Sequence, residues 1–405
     1  MNGKLVTYCK KLWKYILLIV LITLTFSYAM FQGGFVSWFL FYSFLPFALY
    51  CLVLSVYPLG EFEISRVFQK TDYQAGESLT VMITISRSKP FPLFYLLIED
   101  HAPDTLACPQ DFNFFKTILF PGFKKQISFE YSILELPRGE HVFQGVTIRT
   151  GDPLGLFEKE KQFVSGGRII VYPAYTELIY RPYDNQFDQG LTASRERVQR
   201  DTSMVVGVRE YQPGDRFSWI NWKAMAKRNE VMTKEFEQRQ SHDVLVVMNT
   251  THHQHFETVV SFTASLLRAV LKKGAQAGLV TQGQEWSTFP IRGGEQHLQQ
   301  LFYHLAKVKA SQYGTFENVF EAEGFLRQQS VSLMLITPQL TKALLDKASF
   351  FKQRKGTVTI FLIKNQQELP TAEERSLRSM ANARGIRIVM VHEGNFTAAF
   401  AEVKG

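Results

Sequence analysis

Cysteine is scarce in this chain, and its placement excludes a disulfide-based fold. Three cysteines occur in 405 residues, and two of them, Cys9 and Cys51, lie in or beside an apolar N-terminal stretch. A concentrated block of charge is missing too, because the net charge of +8 is spread along the chain. Such a thin basic excess fits contact with anionic lipid headgroups as well as with nucleic acid, so it does not distinguish the two.

The sequence also lacks the short motifs that mark common catalytic sites. It contains no G-x-x-x-x-G-K-[ST] phosphate loop, no G-x-G-x-x-G after a strand, no G-x-S-x-G and no H-E-x-x-H. Nothing near Cys108 and His101 marks a thiol nucleophile. Residues 195–240 hold ten Arg and Lys against seven acidic residues, which is a mixed balance for nucleic-acid binding. We therefore expect no enzyme of these classes and no nucleic-acid partner.

Charged residues are absent from residues 15–60, which are mostly apolar. A membrane span needs about 20 apolar residues, so this stretch is long enough for two. Gln32-Gly33-Gly34 predicts a turn between a first span at residues 12–30 and a second at residues 35–57. Pro46 lies inside the second span and is expected to kink it.

Lysine placement predicts the orientation of these spans. Lys4, Lys10, Lys11 and Lys14 precede the first span, whereas the turn after it has no charge. By the positive-inside rule the N-terminus and the soluble domains are cytoplasmic, as in a multi-pass protein of the cell membrane. A cleaved signal peptide is the alternative. It is disfavoured because the second apolar run follows at once and no small-x-small cleavage site is evident.

The soluble part begins with residues 61–172, which have the pattern of an all-β domain. Residues 79–85, 126–133 and 141–149 alternate apolar and polar side chains as strands do, and turns rich in Pro and Gly separate them. About six to eight short strands of this kind predict a small antiparallel sandwich-like domain or barrel.

Residues 241–405 alternate strands with helices, and residues 173–240 form a connector before them. Residues 243–248 are an apolar run typical of a buried parallel strand. Further strands are predicted at 276–281, 332–336, 358–363 and 386–391, and helices at 256–273, 296–307, 316–328, 341–351 and 372–383. This alternation predicts a doubly wound α/β domain.

Two motifs in the connector resemble a family signature. R-E-Y-Q-P-G-D-R at residues 209–216 and I-N-W-K-A-M-A-K at 220–227 resemble the bacterial domain of unknown function 58 family, whose core is similar to a von Willebrand factor A domain. D-P-L-G-L-F at 152–157, the R-G turn at 138–139 and the two N-terminal spans fit the same family. The resemblance implies a von Willebrand A-like α/β domain and an association with MoxR-type AAA+ ATPases and transglutaminase-like membrane proteins.

The connector motif allows two interpretations. Tyr211, Trp219, Ile220 and Trp222 can pack against the sheet while the basic side chains stay hydrated or pair with acidic neighbours. The network then only fixes the α/β domain on its linker. Alternatively it is a docking surface for a partner protein, and the residues predicted to bind that partner are Arg209, Tyr211, Asp215, Arg216, Trp222 and Lys223.

The resemblance also raises the question of a metal. Von Willebrand A-like domains often hold Mg²⁺ through an Asp-x-Ser-x-Ser loop after the first strand. Asn249, Thr251 and His253 stand in that loop here, and Thr337 follows the strand where a later aspartate is expected. An amide and an imidazole poorly replace a carboxylate and a hydroxyl, so we expect a degenerate site without metal or cofactor.

Three histidines lie in the same loop, and they allow a second interpretation as a metal site. His252, His253 and His255 could bind zinc or nickel, but no cysteine or well-spaced carboxylate joins them. A solvated loop is therefore the favoured interpretation of this cluster.

These observations predict a non-enzymatic, membrane-anchored adaptor or scaffold. Its cytoplasmic α/β domain would bind a partner of the MoxR-type AAA+ ATPase system, through a face around residues 249–253 and Thr337 as well as the connector. One alternative is an outward-facing, cation-dependent ligand-binding module, which needs a reversed topology and an intact metal site. The other is an uncharacterised hydrolase, which needs a reactive group that the sequence does not reveal.

Overall fold

The computed structural model describes residues 2–106, 115–181, 199–212, 215, 217–239, 243–282, 286–311, 332–355, 357–366 and 368–400. The chain divides into two compact units, Met1–Tyr172 and Pro173–Gly405.

Two apolar helices open the first unit. Helix α1 covers Asn2–Gln32, and α2 covers Phe35–Val56 with Pro46 inside it. Between them Gly33 has a φ of 60°, a left-handed conformation that glycine adopts without steric cost. Leu12–Gln32 and Phe35–Val56 are long and apolar enough to cross a membrane, by length and composition. The expected pair of apolar helices is therefore present.

A sheet-rich region completes the first unit. Its strands are β1 Phe62–Phe68, β2 Asp72–Gln74, β3 Leu79–Arg87, β4 Leu96–Asp100, β5 Lys116–Leu119, β6 Gln126–Ile133, β7 Gly139–Phe143, β8 Val146–Gly151, β9 Glu158–Phe163 and β10 Gly167–Tyr172. They form three sheets with the orders β1-β3-β6, β2-β10-β7 and β5-β4-β8-β9. Apart from the parallel pair of β2 and β10, the pairings are antiparallel.

The single strand predicted at residues 141–149 is wrong, because β7 ends and β8 begins within it. At the break, Gln144 and Gly145 exchange backbone hydrogen bonds with His101. A side chain at Gly145 would meet the carbonyl oxygen of Phe163 at 2.5 Å, so only glycine fits this close approach.

Alternating side chains build the core of this region. Every second residue of β3, from Leu79 to Ile85, is buried and packs with apolar residues of β4, β8 and β10. A fully buried ion pair between Arg66 and Asp100 lies in the same core. The hydroxyl of Tyr131 donates to Asp100 Oδ2 at 2.6 Å. Burial raises the pKa of Tyr131, and the Asp100 carboxylate raises it further.

The second unit begins with a strand pair and a short helix. Strands β11 (Gln199–Glu210) and β12 (Met232–Arg239) pair antiparallel, and α3 (Trp222–Arg228) lies between them in sequence. The sequence predicts only a connector for residues 173–240, so this strand pair is an addition from the structure.

A six-stranded sheet follows, with the order β15-β14-β13-β16-β17-β18. Its strands are β13 Val244–Met248, β14 Ala277–Gln282, β15 Trp286–Arg292, β16 Ser332–Thr337, β17 Val358–Lys364 and β18 Arg387–His392, and its helices are α4 Phe256–Lys272, α5 Glu295–Lys307, α6 Lys342–Lys355 and α7 Ala372–Ala383. All neighbours are parallel except β15, which runs antiparallel along β14.

Burial on both faces explains the apolar strands of this sheet. Every residue of β13 and β17 is buried. Strand β15 was not predicted, and it carries Pro290 at the edge, where a missing N–H is tolerated. The helix predicted at 316–328 lies outside the described residues.

Candidate functional site

The strand order reverses between β13 and β16, the two central strands of the second sheet. β14 lies on one side of β13, whereas β17 lies beyond β16. In open α/β sheets the carboxyl ends of two such strands are the usual place for a ligand. Asn249 follows β13 and Thr337 ends β16, so two of the predicted site residues lie at this position.

At this edge three of the predicted residues bind one another. Asn249 Nδ2 donates to Thr337 Oγ1 at 3.0 Å, and Asn249 Oδ1 accepts from the N–H and the hydroxyl of Thr251 at 2.9 and 2.8 Å. The Thr337 hydroxyl donates in turn to the carbonyl of Gln339 at 2.8 Å. Asn249 and Thr337 are buried. The atoms that would face a cation therefore satisfy each other, in a network of neutral groups.

A cluster of charged side chains lies beside this network, at the end of β17. Lys364 is nearly buried and contacts Glu374 at 2.8 Å and Glu368 at 2.9 Å. Burial acts to lower the pKa of Lys364, but the hydrogen bonds to Glu374 and Glu368 outweigh it, and the pKa is raised. The same hydrogen bond from Lys364 lowers the pKa of Glu368. Removing Lys364 alone would leave the largely buried Glu374 carboxylate without its cationic partner, which is the costly way to break such a cluster.

The cluster corrects the interpretation of the histidines. His255 is 2% exposed, and its Nε2 lies 3.2 Å from Glu368, so a solvated loop is wrong for this residue. His253 is half-buried, with its ring centroid 4.8 Å from that of His255. Burial lowers the pKa of His253, and His255 lowers it further. Only His252 is exposed as expected.

The described residues at this edge lack the usual set of strong metal ligands. Within the described ranges, no three or more His, Cys, Asp or Glu side chains are grouped so that they could hold a metal ion. His253 lies outside the network of Asn249, Thr251 and Thr337, because its ring turns towards His255.

The segment that carries the family signature, residues 209–227, is a second candidate site, and we call it the signature segment. Arg209 Nη2 binds Asp215 Oδ1 at 2.7 Å, and the N–H of Gln212 donates to Asp215 Oδ2 at 3.0 Å. The hydrogen bond from Arg209 lowers the pKa of Asp215, and the N–H of Gln212 adds to the effect. This pair links Asp215 to the end of β11. Arg216 lies outside the described residues, as do Pro213 and Gly214.

Helix α3 is capped at both of its ends and is joined to β12 at its start, where the N–H of Asn221 donates to the carbonyl of Met232 at 2.8 Å. Asn221 caps its first turn, where Oδ1 accepts from the N–H of Ala224 at 3.2 Å. Asn229 ends it in a left-handed conformation with a φ of 57°. Ile220 is buried and forms a bridge to Thr233 of β12. The segment therefore has a defined conformation.

The surface of this segment is apolar and basic. Trp222 is 67% exposed and Phe217 is 78% exposed, and Lys223, Lys227 and Arg228 of α3 are exposed as well. The expectation that Trp222 packs against the sheet is wrong. Ile220 takes the buried position on β12, which leaves Trp222 on the outer side of a seven-residue helix. Tyr211 and Trp219 are half-buried.

Sequence comparisons settle the family. Residues 207–403 match the family described as "Protein of unknown function DUF58". A protein of Bacillus subtilis (strain 168), described as "Uncharacterized protein YeaD", is 40% identical over 385 residues, which cover 94% of this chain and 96% of that one. The chain belongs to the DUF58 family. The resemblance identified from residues 209–227 is thereby confirmed.

Comparisons with solved structures add less. The VWA domain of SpRpn10 matches 38% of this chain and 92% of its own length, at 11% identity and a TM-score of 0.29. The bacterial hydrophobin BslA matches 30% of this chain and 100% of its own length, at 13% identity and a TM-score of 0.19. Both scores are too low to assign a fold.

Proposed function

We propose that this DUF58 protein is a non-enzymatic, membrane-anchored adaptor that binds a partner protein through the exposed face of α3. This face consists of Trp222, Lys223, Lys227 and Arg228 of α3 together with Phe217, which precedes the helix. The observation that supports it is the exposure of Trp222 and Phe217 on a segment whose backbone is otherwise held in place. Large exposed aromatic side chains rimmed by charge are typical of protein interaction surfaces.

The ordered conformation of the signature segment favours binding of a partner protein. The Arg209–Asp215 pair and the Asn221 cap order the segment before any partner arrives, so little conformational entropy is lost on association. Tryptophan is the residue most enriched at interface hot spots, where truncation to alanine costs about 2 kcal/mol or more. Loss of Trp222 should therefore weaken binding about 30-fold.

The chemistry of the face indicates the kind of partner. The two aromatic rings and three basic side chains are all exposed on this short stretch of chain, so a complementary surface carries apolar and acidic groups. Family resemblance points to a AAA+ ATPase of the MoxR type as that partner. The sheet edge is less suited to direct contact, because Asn249 and Thr337 are buried and bonded to each other.

The proposal includes the architecture and the orientation of the chain. A sheet of five parallel strands with one antiparallel edge strand suits a von Willebrand A-like domain, and Asn249, Thr251 and Thr337 lie together where such a domain holds its cation. Helices α1 and α2 are the two membrane spans. The lysines before the first span favour a cytoplasmic location for both units.

Crosslinking in native membranes tests the binding face. We expect a AAA+ ATPase to be recovered with the wild-type protein and lost with a Trp222→Ala, Phe217→Ala variant. Phe350→Ala is the matched control, because Phe350 is an exposed aromatic residue of α6 in the same unit. All three proteins should show the same unfolding temperature in detergent. Equal recovery with the double variant and the wild type would refute the binding face.

Protease protection tests the orientation. In intact cells the soluble units should resist an added protease, and they should be cut after lysis. Cleavage in intact cells would instead favour an outward-facing module.

A further inference from the structure

We propose that the end of the first unit next to α1 and α2 is itself a membrane-contacting surface. Loops 89–95, 120–125 and 152–157 would lie in the interfacial region of the bilayer, with Phe94, Phe120, Phe123 and Leu154 against lipid. Of the proposed function, this inference requires only that α1 and α2 span the membrane.

Loop 152–157 is seated on α2. The Asp152 carboxylate accepts the N–H groups of Leu154, Leu156 and Phe157, at 3.1, 3.2 and 2.5 Å, and the thiol of Cys51 at 3.1 Å. Cys51 lies five residues before the end of α2, which corresponds to about 8 Å along the helix. The loop therefore lies beside the span rather than beyond its end.

The same loop also contacts α1. Phe157 is buried against Leu18 of α1 and Ala48 of α2. The ring of Tyr15 lies 5.1 Å from that of Phe157. Both helices thus hold the loop, while its Leu154 is 45% exposed towards the surroundings.

Loop 89–95 is bound at a similar level of α2. The hydroxyl of Tyr50 accepts the N–H of Phe94 at 3.0 Å, and the Tyr50 ring stacks on Phe91 at 5.4 Å. Tyr50 lies six residues, about 9 Å, before the end of the helix at Val56. Phe94 itself is exposed.

Loop 120–125 is held against loop 89–95. Leu93 forms a bridge with Gly122. The buried guanidinium of Arg87 donates to the carbonyls of Phe91, Gly122 and Lys124 at 2.6 to 2.7 Å. Because Arg87 uses all three of its donor nitrogens in this way, the two loops form one rigid surface.

This surface has the chemistry of a bilayer interface. Phe120 and Phe123 project from it with more than two thirds of each side chain exposed, and Lys124 and Lys125 are exposed next to them. Aromatic rings partition to the level of the headgroups, and lysines there attract anionic lipids. A soluble partner is the less favoured occupant, since the neighbouring spans already place this end of the unit at the bilayer.

Depth-dependent quenching tests the proposal in the full chain reconstituted into vesicles. An environment-sensitive fluorescent amino acid would be placed at 123 or 154, and lipids brominated on their acyl chains would serve as quenchers. Two control sites lie at the far ends of the same strands. Leu134 follows β6 and is 71% exposed, and Val164 follows β9 and is 95% exposed. These sites are about 20–26 Å from the proposed surface. Leu24 in α1 is the positive control.

We expect strong quenching at 24, 123 and 154 and none at 134 or 164. Quenching at 24 alone would overturn this proposal and leave the membrane anchoring intact. Without quenching at 24, the anchoring fails and this inference fails with it. Equal quenching at all five sites would also contradict it, because the surface would not be specific. Position 120 is a second probe site in the same loop should a substitution at 123 prevent folding.

Discussion

The sheet edge at Asn249 and the signature segment around α3 belong to the same unit. Their side chains differ, because those at the edge are bonded to one another and those on α3 are exposed. At the edge, Asn249, Thr251 and Thr337 are bonded to one another, and Lys364 is enclosed by two carboxylates. On α3, Trp222 is exposed although the backbone around it is fixed.

This difference shows that the position where the topology predicts a ligand and the exposed surface are two separate places. The sheet edge is where the topology predicts a ligand, but its polar atoms are already satisfied. The topology does not mark the signature segment as a ligand site, yet this segment carries the exposed aromatic surface. A function assigned from architecture alone would therefore select the sheet edge, whose polar atoms are already satisfied.

Removing the positive charge of Lys364 at the sheet edge should give the largest loss of stability. In Lys364→Met, Glu374 and Glu368 lose their common partner, and Glu374 is largely shielded from water. Leaving a buried charge unpaired costs about 3 kcal/mol. Denaturant unfolding of the full chain in detergent measures the loss, and Lys223→Met on exposed α3 serves as the control, with a change below about 0.5 kcal/mol. A loss below about 1 kcal/mol would show that the cluster is not structural.

Restoring a carboxylate should reopen the edge to a cation. The wild type is expected to show no Mg²⁺-dependent stabilisation. Asn249→Asp combined with His253→Ser restores the oxygen ligands of a cation-binding loop. This variant should gain about 1.4 kcal/mol when Mg²⁺ is ten times its Kd. Thermal unfolding with and without Mg²⁺ measures it, and adding Thr251→Ala should abolish the gain. Stabilisation of the wild type by Mg²⁺ would contradict a degenerate site.

Acid should weaken the edge through His253. Its pKa in the folded protein is lowered by burial and by His255, so the unfolded chain takes up this proton first, near pH 6.5. The stabilisation is complete above that pH and is lost as the pH falls towards the folded pKa. His253→Gln should lose less stability than the wild type between pH 7.5 and 5.5. The pKa of His304 is also lowered by burial, so both proteins keep some acid sensitivity.

The smallest change in stability is expected on α3. Trp222→Ala should alter the unfolding free energy by less than about 0.5 kcal/mol, because the side chain is mostly solvated. Ile220→Ala is the contrasting variant, two residues earlier and buried, with an expected loss of about 2 kcal/mol or more. Similar losses for both variants in the same unfolding assay would show that Trp222 supports the fold.

Local signals in the sequence predict much of this molecule. The charge-free run up to residue 60 indicates two apolar helices, and the apolar runs of β13 and β17 indicate buried strands. The helix predicted at residues 372–383 has the bounds of α7, and in the structure Thr371 and Glu374 form a capping box at its start.

Contacts between distant residues could not be predicted in this way. Asp152 binds Cys51 across 101 positions of sequence, and no periodicity reports such a pair. His255 is buried and lies 3.2 Å from Glu368, which is 113 positions later in the sequence. Lys364 could have been noticed as a charge that ends an apolar strand, with Glu368 four residues later. Packing and partner binding both stayed open for Trp222, because a seven-residue helix is too short to define a buried face from sequence.

Site-specific photocrosslinking tests the binding face most directly. A photoreactive phenylalanine analogue would replace Trp222 in one protein and Phe350 in another, both expressed in full length in native cells. We expect a discrete protein adduct at 222 that contains a AAA+ ATPase, and none at 350. The absence of an adduct at 222, or the same adducts at both positions, would contradict it.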